Sequence, residues 1–375
     1  MTHVLGVGAI GTLVAFHLKR TYPGSPVTLL LRNQAARRSW IEEAGERLTI
    51  RPPRPGLHEP TPLKDTAAAV CTGTQGGFQY EVLDHMTDPG PIRRLIITTK
   101  AHQTVDAYAQ LIPRLGPSSV VVLLQNGIGV QEGILSRHYP SQGGSLNTEI
   151  PHFVLGTTNH GCYREAPFRI VHAGLGEISL GSQAPSSPEV QATLETLRGV
   201  DGLNVHTESW PALSRRLLVK LAVNGFINPL TALLDCPNGD LVTHSRYQAL
   251  LDFFCHETGA ILTKHVETQG CGTATHCAPT TDELTRSLTP EALRTAILHI
   301  CRLTAANESS MRQDYRAGRQ TEIDYINGYL TRLATRYGLP GPYNQLVTRL
   351  ITDRAGHPER QLLSLARGSD EQGAP

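Results

Sequence analysis

The chain has 375 residues, more than one compact unit ordinarily holds, and reads as two domains of ordinary size. Hydrophobic residues make up 39%, and 34 Lys and Arg stand against 33 Asp and Glu; a net charge of +1 without a Lys/Arg run excludes nucleic acid as a partner. No apolar run approaches the roughly 18 to 20 residues of a membrane span, HVLGVGAIG leaves no room for a leader ahead of the fold, and seven scattered cysteines suit a reducing compartment, so a cytoplasmic protein without a membrane partner is expected.

Residues 3–20, HVLGVGAIGTLVAFHLKR, read as a short apolar strand, a glycine turn and an amphipathic helix. Gly6, Gly8 and Gly11 form G-x-G-x-x-G, with Val7, Ala9 and Ile10 between them. Gly6 permits the tight turn, Gly8 lets the backbone approach a pyrophosphate, and Gly11 lets the helix pack on the strand. The unpaired N–H groups of the helix N-terminus face the anion. Many glycine turns bind nothing; this one follows a strand and precedes a helix, the context a dinucleotide site requires.

The second strand is VTLLLR, residues 27–32. Where NAD-dependent folds carry an acid for the ribose hydroxyls, this chain has Arg32, 21 positions beyond Gly11. A guanidinium suits a 2′-phosphate, which favours NADP; Arg37 and Arg38 compete for that role, and a solvated strand-end arginine is the alternative. Residues 51–77 are rich in Pro and Gly and read as an inserted loop. RLIITTK (94–100) and SVVVLLQNGIG (119–129) read as buried parallel strands ending in Lys100 and in Asn126-Gly127, at the edge where α/β sheets hold ligands. FVLGTTNHGCYR and FRIVHAGLGEISLG alternate and read as strands of an antiparallel extension, and Ser187-Pro188-Glu189 opens a helix.

From about Trp210 the pattern is helical almost throughout. In RLLVKLAVNGFINPLTALLDCPNG, Lys220, Asn224 and Asn228 lie four residues apart, each step advancing about 40° around the helix, so they form one polar stripe on an apolar segment. Pro229 lacks an N–H and collides with the carbonyl of Gly225, so a kink is expected there that turns backbone polar groups and amides toward a cavity. A helix with a snorkelling lysine and two wet amides explains the stripe as well as a cleft wall does. Residues 267–291 read as a second inserted loop, in which Cys271, His276 and Cys277 fit no common zinc spacing, and no metal is expected.

These pieces together resemble the ketopantoate reductase (2-dehydropantoate 2-reductase) family. The resemblance rests on the glycine motif at 6–11, TTKAHQ at 98–103, LLQNGIG at 123–129, KLAVNGFINPLTALLDCPNG at 220–239 and NESSMRQDYRAGRQTEIDYINGYL at 307–330, in the family's order. It implies an α/β fold, with an N-terminal Rossmann dinucleotide-binding domain (1–209) and an all-helical C-terminal substrate domain (210–366), while the composition of RGSDEQGAP reads as a disordered tail (367–375). It further implies NADPH as cofactor and a small 2-keto acid, ketopantoate, as substrate, reduced to pantoate for pantothenate and coenzyme A synthesis by a monomer or homodimer. By position, Lys220 resembles the family's general acid, and Glu322 the acid at the substrate hydroxyl and nicotinamide end. Asn224, Asn228 and Asn238 resemble substrate-side amides, and Asn307 and Ser310 partners of the substrate carboxylate. Lys100, Asn126 and the backbone at Cys162 resemble cofactor contacts, with Asn126 also reaching the substrate.

A buried ammonium can stabilise a developing alkoxide and donate its proton, and burial brings its pKa nearer neutrality while a nearby acid counters that shift. Ser309 or Ser310 also suits a helix N-cap, and Glu322 an amphipathic surface. Two departures stand out: Cys162 replaces a small alanine, and Glu308 puts an acid beside the expected carboxylate pocket. The competing readings are a paralogue reducing another branched 2-keto acid and a non-catalytic NADPH-sensing protein.

Overall fold

Val27–Leu31 is buried at every position and apolar at all but Thr28, the mark of a strand covered on both faces. In a computed structural model, which describes residues 1–53, 71–85, 90–140, 150–244, 247–270, 281–354 and 358–371, it forms part of the first of two compact units. The first comprises Met1–Gln125 and Val130–Leu213, the second Asn126–Gly129 and Ser214–Pro375. The division thus falls within a helix that starts at Trp210, slightly beyond the 209/210 boundary read from sequence, and the Asn126–Gly129 segment counts with the second unit.

In chain order the first unit contains β1 (Thr2–Leu5), α1 (Ala9–Thr21), β2 (Val27–Leu31), α2 (Gln34–Arg38), β3 (Leu48–Arg51), β4 (Gly73–Gln75), β5 (Gln79–Val82), β6 (Arg94–Ile97), α3 (Ala101–Ala109), β7 (Val120–Leu123), α4 (Val130–His138), β8 (His152–Thr158), β9 (Gly161–Ala166), β10 (Arg169–Gly174), β11 (Ile178–Gly181), α5 (Pro188–Arg198) and β12 (Val205–Thr207). The larger sheet has the order β12-β11-β8-β7-β6-β1-β2-β5. Its run from β5 to β8 is parallel throughout, the doubly wound Rossmann order with its switch point between β1 and β6. Val4, Leu29, Ile96, Val122 and Val154 are fully buried in its core.

The antiparallel extension is confined to part of the region where the sequence suggested it. β8 is parallel to β7, because α4 crosses over between them, and only β11 runs antiparallel to β8. β9 and β10 leave this sheet and form a second one, ordered β4-β3-β10-β9. β4 lies within the 51–77 stretch read as a loop; pairing with β3 overrides its glycine-rich composition, and residues 54–70 lie outside the described residues.

The second unit is helical: α6 (Trp210–Leu234), α7 (Asp240–Thr243), α8 (Gln248–Gly270), α9 (Thr281–Arg286), α10 (Pro290–Leu303), α11 (Ser310–Arg316), α12 (Asn327–Tyr337), α13 (Pro342–Asp353) and α14 (Pro358–Glu371). Phe226, Phe254 and Tyr343 centre its core, with ring centroids 4.8 to 6.3 Å apart. α6 is long and apolar enough to cross a membrane by length and composition; 72% of that window is buried inside the fold, as a core helix would be.

α8 enters the 267–291 stretch read as a loop, α9 lies within it and α10 starts at its far end, while residues 271–280, with Cys271, His276 and Cys277, lie outside the described residues. Thr289 caps α10 by accepting from the Ala292 amide, with Pro290 at the first helical position. Residues 367–371, read as tail, continue α14; residues 372–375 lie outside the described residues.

Candidate active site

In the first unit, the turn after β1 meets the chemistry that its glycines imply. Gly6 has φ +92°, and a Cβ there would lie 2.5 Å from the Thr99 amide nitrogen. At Gly11 a Cβ would fall 2.2 Å from the Gly6 carbonyl and 2.5 Å from Thr98 Oγ1. Gly8 is different: its Cβ would meet nothing within 4 Å, so its bareness serves no internal packing. Gly8 is also the N-cap of α1 and gives no side-chain cap, and the first turn carries no acid. Those N-terminal amides suit an anion. The turn is tied to the next strand by Thr98, whose hydroxyl donates to the Gly6 carbonyl at 2.6 Å. Sequence reading passed over Thr98, although TTK following an apolar strand marks its place.

Val7, Ala9 and Ile10 are partly buried along this turn. Arg32, directly after β2, is exposed, as are Arg37 and Arg38. Asn33 caps α2 by accepting from the Ala36 amide at 3.0 Å. Lys100 sits at the N-cap position of α3, and Cys162 lies on β9 opposite His172, where burial pushes its thiol up to about 12.

In the second unit, two distant stretches of chain converge on α6. Lys220 is partly buried; burial brings its ammonium down from 10.5 to about 8, and the negative charge of Glu322 works in the opposite direction. Glu322 is only 6% exposed and stands at the N-cap of a 3-10 turn, Ile323–Tyr325. The same turn receives the Asn126–Gly129 segment: the Ile128 amide donates to the Tyr325 carbonyl at 2.9 Å. Gly127, with φ +81°, allows that approach, since a Cβ would lie 2.3 Å from the Tyr325 carbonyl oxygen.

Pro229 does not end the helix; α6 continues to Leu234. Nor does the carbonyl it releases face a cavity, as the sequence suggested. Asn327 Nδ2 donates to the Gly225 oxygen at 2.8 Å, replacing the amide that proline lacks. The stripe itself is uneven: Asn224 is partly exposed and Asn228 buried.

Further along α6, Thr231 and Ser309 join hydroxyls at 2.7 Å, and Ser309 accepts from the Arg312 amide, so Ser309 is the N-cap of α11. Ser310 opens the helix and is exposed, as is Asn307. The Asn238 amide donates to the Asn307 carbonyl at 3.2 Å, and Asn238 Nδ2 donates to Thr304 Oγ1 at 2.9 Å, leaving its buried Oδ1 without a hydrogen-bond partner in the protein. Glu308 does not stand as a bare acid beside these groups. Arg312 and Arg316 approach it at 3.2 and 2.8 Å, and both also bind Asp235. Among the described residues no cluster of His, Cys, Asp and Glu could hold a metal ion.

A Rossmann sheet with an anion-ready glycine turn, on one chain with a helical unit that pairs a lysine of lowered pKa with a buried glutamate, is the build of an oxidoreductase. Comparison with known proteins narrows the class. Residues 2–185 match the family model "Ketopantoate reductase PanE/ApbA", and residues 212–355 match "Ketopantoate reductase PanE/ApbA C terminal". The 2-dehydropantoate 2-reductase of Yersinia pestis is 32% identical over 267 residues, 71% of this chain and 75% of the relative. The probable 2-dehydropantoate 2-reductase of Schizosaccharomyces pombe is 28% identical over 369 residues, 94% of this chain and 96% of the relative. Among solved structures, D-mandelate dehydrogenase in ternary complex with NADH and anilino(oxo)acetate shares the fold at a TM-score of 0.67 and 21% identity, covering 96% of this chain and 98% of that one. The chain is an oxidoreductase and belongs to the ketopantoate reductase family.

Proposed function

We propose that the protein reduces ketopantoate (2-dehydropantoate) to pantoate with NADPH, Lys220 acting as general acid. The observation that carries this reading is the pairing of Lys220 with Glu322 in the second unit: a lysine lowered to about 8 by burial holds a transferable proton near neutral pH, and the glutamate charge keeps that proton in place. The glycine turn fits a dinucleotide pyrophosphate, since Gly8 leaves open space before the uncapped amides of α1. A dinucleotide held there by its pyrophosphate would supply hydride from its nicotinamide to the C2 carbonyl carbon.

The chain's own residues then have these roles. Lys220 donates its proton to the carbonyl oxygen as negative charge develops on it. Asn224, Asn228 and Asn238 orient the keto acid by hydrogen bonds, and the unpartnered Asn238 Oδ1 is suited to receive a substrate hydroxyl. Asn307 and Ser310 lie on the exposed approach to α11 and serve the substrate carboxylate. Glu322 holds the charge of Lys220 and accepts from the product hydroxyl. Arg32 pairs with the 2′-phosphate, and Lys100, Asn126 and the Cys162 backbone contact the cofactor.

Spectrophotometric oxidation of NADPH with ketopantoate tests the proposal. Turnover is expected, with Lys220→Ala lowering kcat about 10²- to 10⁴-fold. Unchanged kcat in that variant rejects Lys220 as the acid. A second reading, another 2-keto acid, draws on the fold shared with D-mandelate dehydrogenase; a higher kcat/KM on a different keto acid in a substrate panel selects it.

A further inference from the structure

We propose that Asn327 is a positioning residue that holds the turn of α6 bearing Lys220 and Asn224 against the segment bearing Glu322. This deepens the reading of Lys220 as proton donor and rests on it. Pro229 cannot donate to Gly225, and a buried carbonyl left unpaired costs about 1 to 3 kcal/mol. Asn327 supplies the missing donor from another part of the chain, five residues beyond Glu322. The bond therefore joins two positions each five residues beyond a member of the catalytic pair, Gly225 after Lys220 and Asn327 after Glu322.

The geometry around Asn327 shows that it is held as well as holding. Its Nδ2 donates one proton to the Gly225 oxygen and the other to Asn344 Oδ1, both at 2.8 Å. Asn344 Nδ2 in turn donates to Glu257 Oε1 at 2.7 Å and to Thr258 Oγ1 at 3.2 Å. Glu257 closes the network by accepting the Tyr343 and Asn344 amides at the start of α13, at 2.8 and 3.0 Å. Asn327 and Asn344 are both fully buried. Asn327 Oδ1, however, is buried with no hydrogen-bond partner in the protein, a cost that an apolar residue would not incur. A side chain kept only for packing has no use for that amide; one kept for its two donors does.

The test combines kinetics with a readout independent of turnover. Lys220 reactivity toward acetic anhydride, followed by peptide mass spectrometry across pH, gives the protonation midpoint directly. The wild type should titrate near 8. In Asn327→Ala, Glu322 is no longer held against Lys220, and loss of its raising influence should lower the midpoint by up to about one unit. The same variant should lose about 10- to 100-fold in kcat while its NADPH Kd stays within about 2-fold. Adding Pro229→Ala restores an N–H to position 229 that can donate to Gly225, and should recover much of both losses.

A kcat within about 2-fold of wild type with an unmoved Lys220 midpoint overturns the proposal, whatever happens to Tm. So does a loss that Pro229→Ala leaves untouched, because the carbonyl is then not the route. Asn344→Ala removes only the brace on Asn327 and is the milder variant should Asn327→Ala not fold; it should change both readouts in the same directions, and no change overturns the proposal equally. If the wild type reduces no 2-keto acid, the functional reading fails, while the labelling arm still decides the role of Asn327.

Discussion

Removing the charge of Glu322 without its shape, by Glu322→Gln, should move the basic limb of the pH–rate profile downward. Lys220 must be protonated to donate, so the rate is full below its pKa and falls above it. In the wild type that pKa is lowered to about 8, with burial lowering it and Glu322 raising it. Without the glutamate only the lowering cause remains, and a lost charge partner of this kind is worth about 1 unit. A limb moved from about 8 to about 7 changes the protonated fraction at pH 7.5 from about three quarters to about one quarter, a roughly 3-fold loss. The loss grows toward about 10-fold above pH 8.5 and vanishes below about pH 6. Measuring kcat/KM for NADPH oxidation across pH 5.5 to 9.5 (roughly the span needed to see both plateaus) separates electrostatics from contact. A pH-independent loss remaining at the acid plateau measures any hydrogen bond from Glu322 to substrate. A limb that stays in place or moves upward refutes the electrostatic coupling.

Arg32→Ala should raise KM for NADPH by about 10-fold or more and leave NADH nearly unchanged, and equal effects on both cofactors would remove the 2′-phosphate from the account of Arg32. The two glycine turns should answer alanine in opposite ways. Gly8→Ala meets open space, so Tm should hold while NADPH binding by fluorescence titration weakens; Gly127→Ala would drive a Cβ to 2.3 Å from the Tyr325 oxygen at φ +81° and should cost more than about 1 kcal/mol in thermal unfolding. Identical Tm losses in the two variants would contradict this division. In the first unit, buried His17 and His172 are each lowered from 6.5 to about 4 by desolvation. The unfolded chain therefore takes up protons first: stability is full above about pH 6.5 and is lost as pH falls toward about 4, amounting to about 2 kcal/mol per histidine at pH 5. A urea midpoint equal at pH 5 and pH 7.5 would refute the assignment, and His172→Asn should flatten the dependence.

What could be read from the sequence was the chemistry that is local along the chain. The β1 turn and α1 follow from the spacing of Gly6, Gly8 and Gly11, because a tight turn, an open approach and a close packing contact each need a glycine at a fixed offset. The capping of α10 was equally local, yet Thr289-Pro290-Glu291 lay at the end of a stretch whose composition suggested a loop. Alternation identified β9 and β10 as strands without saying which sheet would take them, since period two carries no partner information. The helical stripe on α6 was legible for the same reason that the glycine turn was. Its supports were not, because Glu322 and Asn327 reach it from about a hundred residues away.

One signal in the sequence did point to the missing partner. A proline within an apolar helix leaves the carbonyl four residues earlier without its amide, and a buried carbonyl must be paired. Pro229 thus requires a donor for Gly225 in place of the cavity expected there, and polar residues placed in otherwise apolar segments are the ones able to supply it. Asn327 is such a residue, at the start of the amphipathic α12 and fully buried. Lys220 and Glu322 stand out through motifs shared with a reductase family, as residues proposed to carry the chemistry would. Asn327 stands out for a different reason: a helix that lacks an amide at Pro229 keeps the Gly225 carbonyl paired only where another donor supplies the bond.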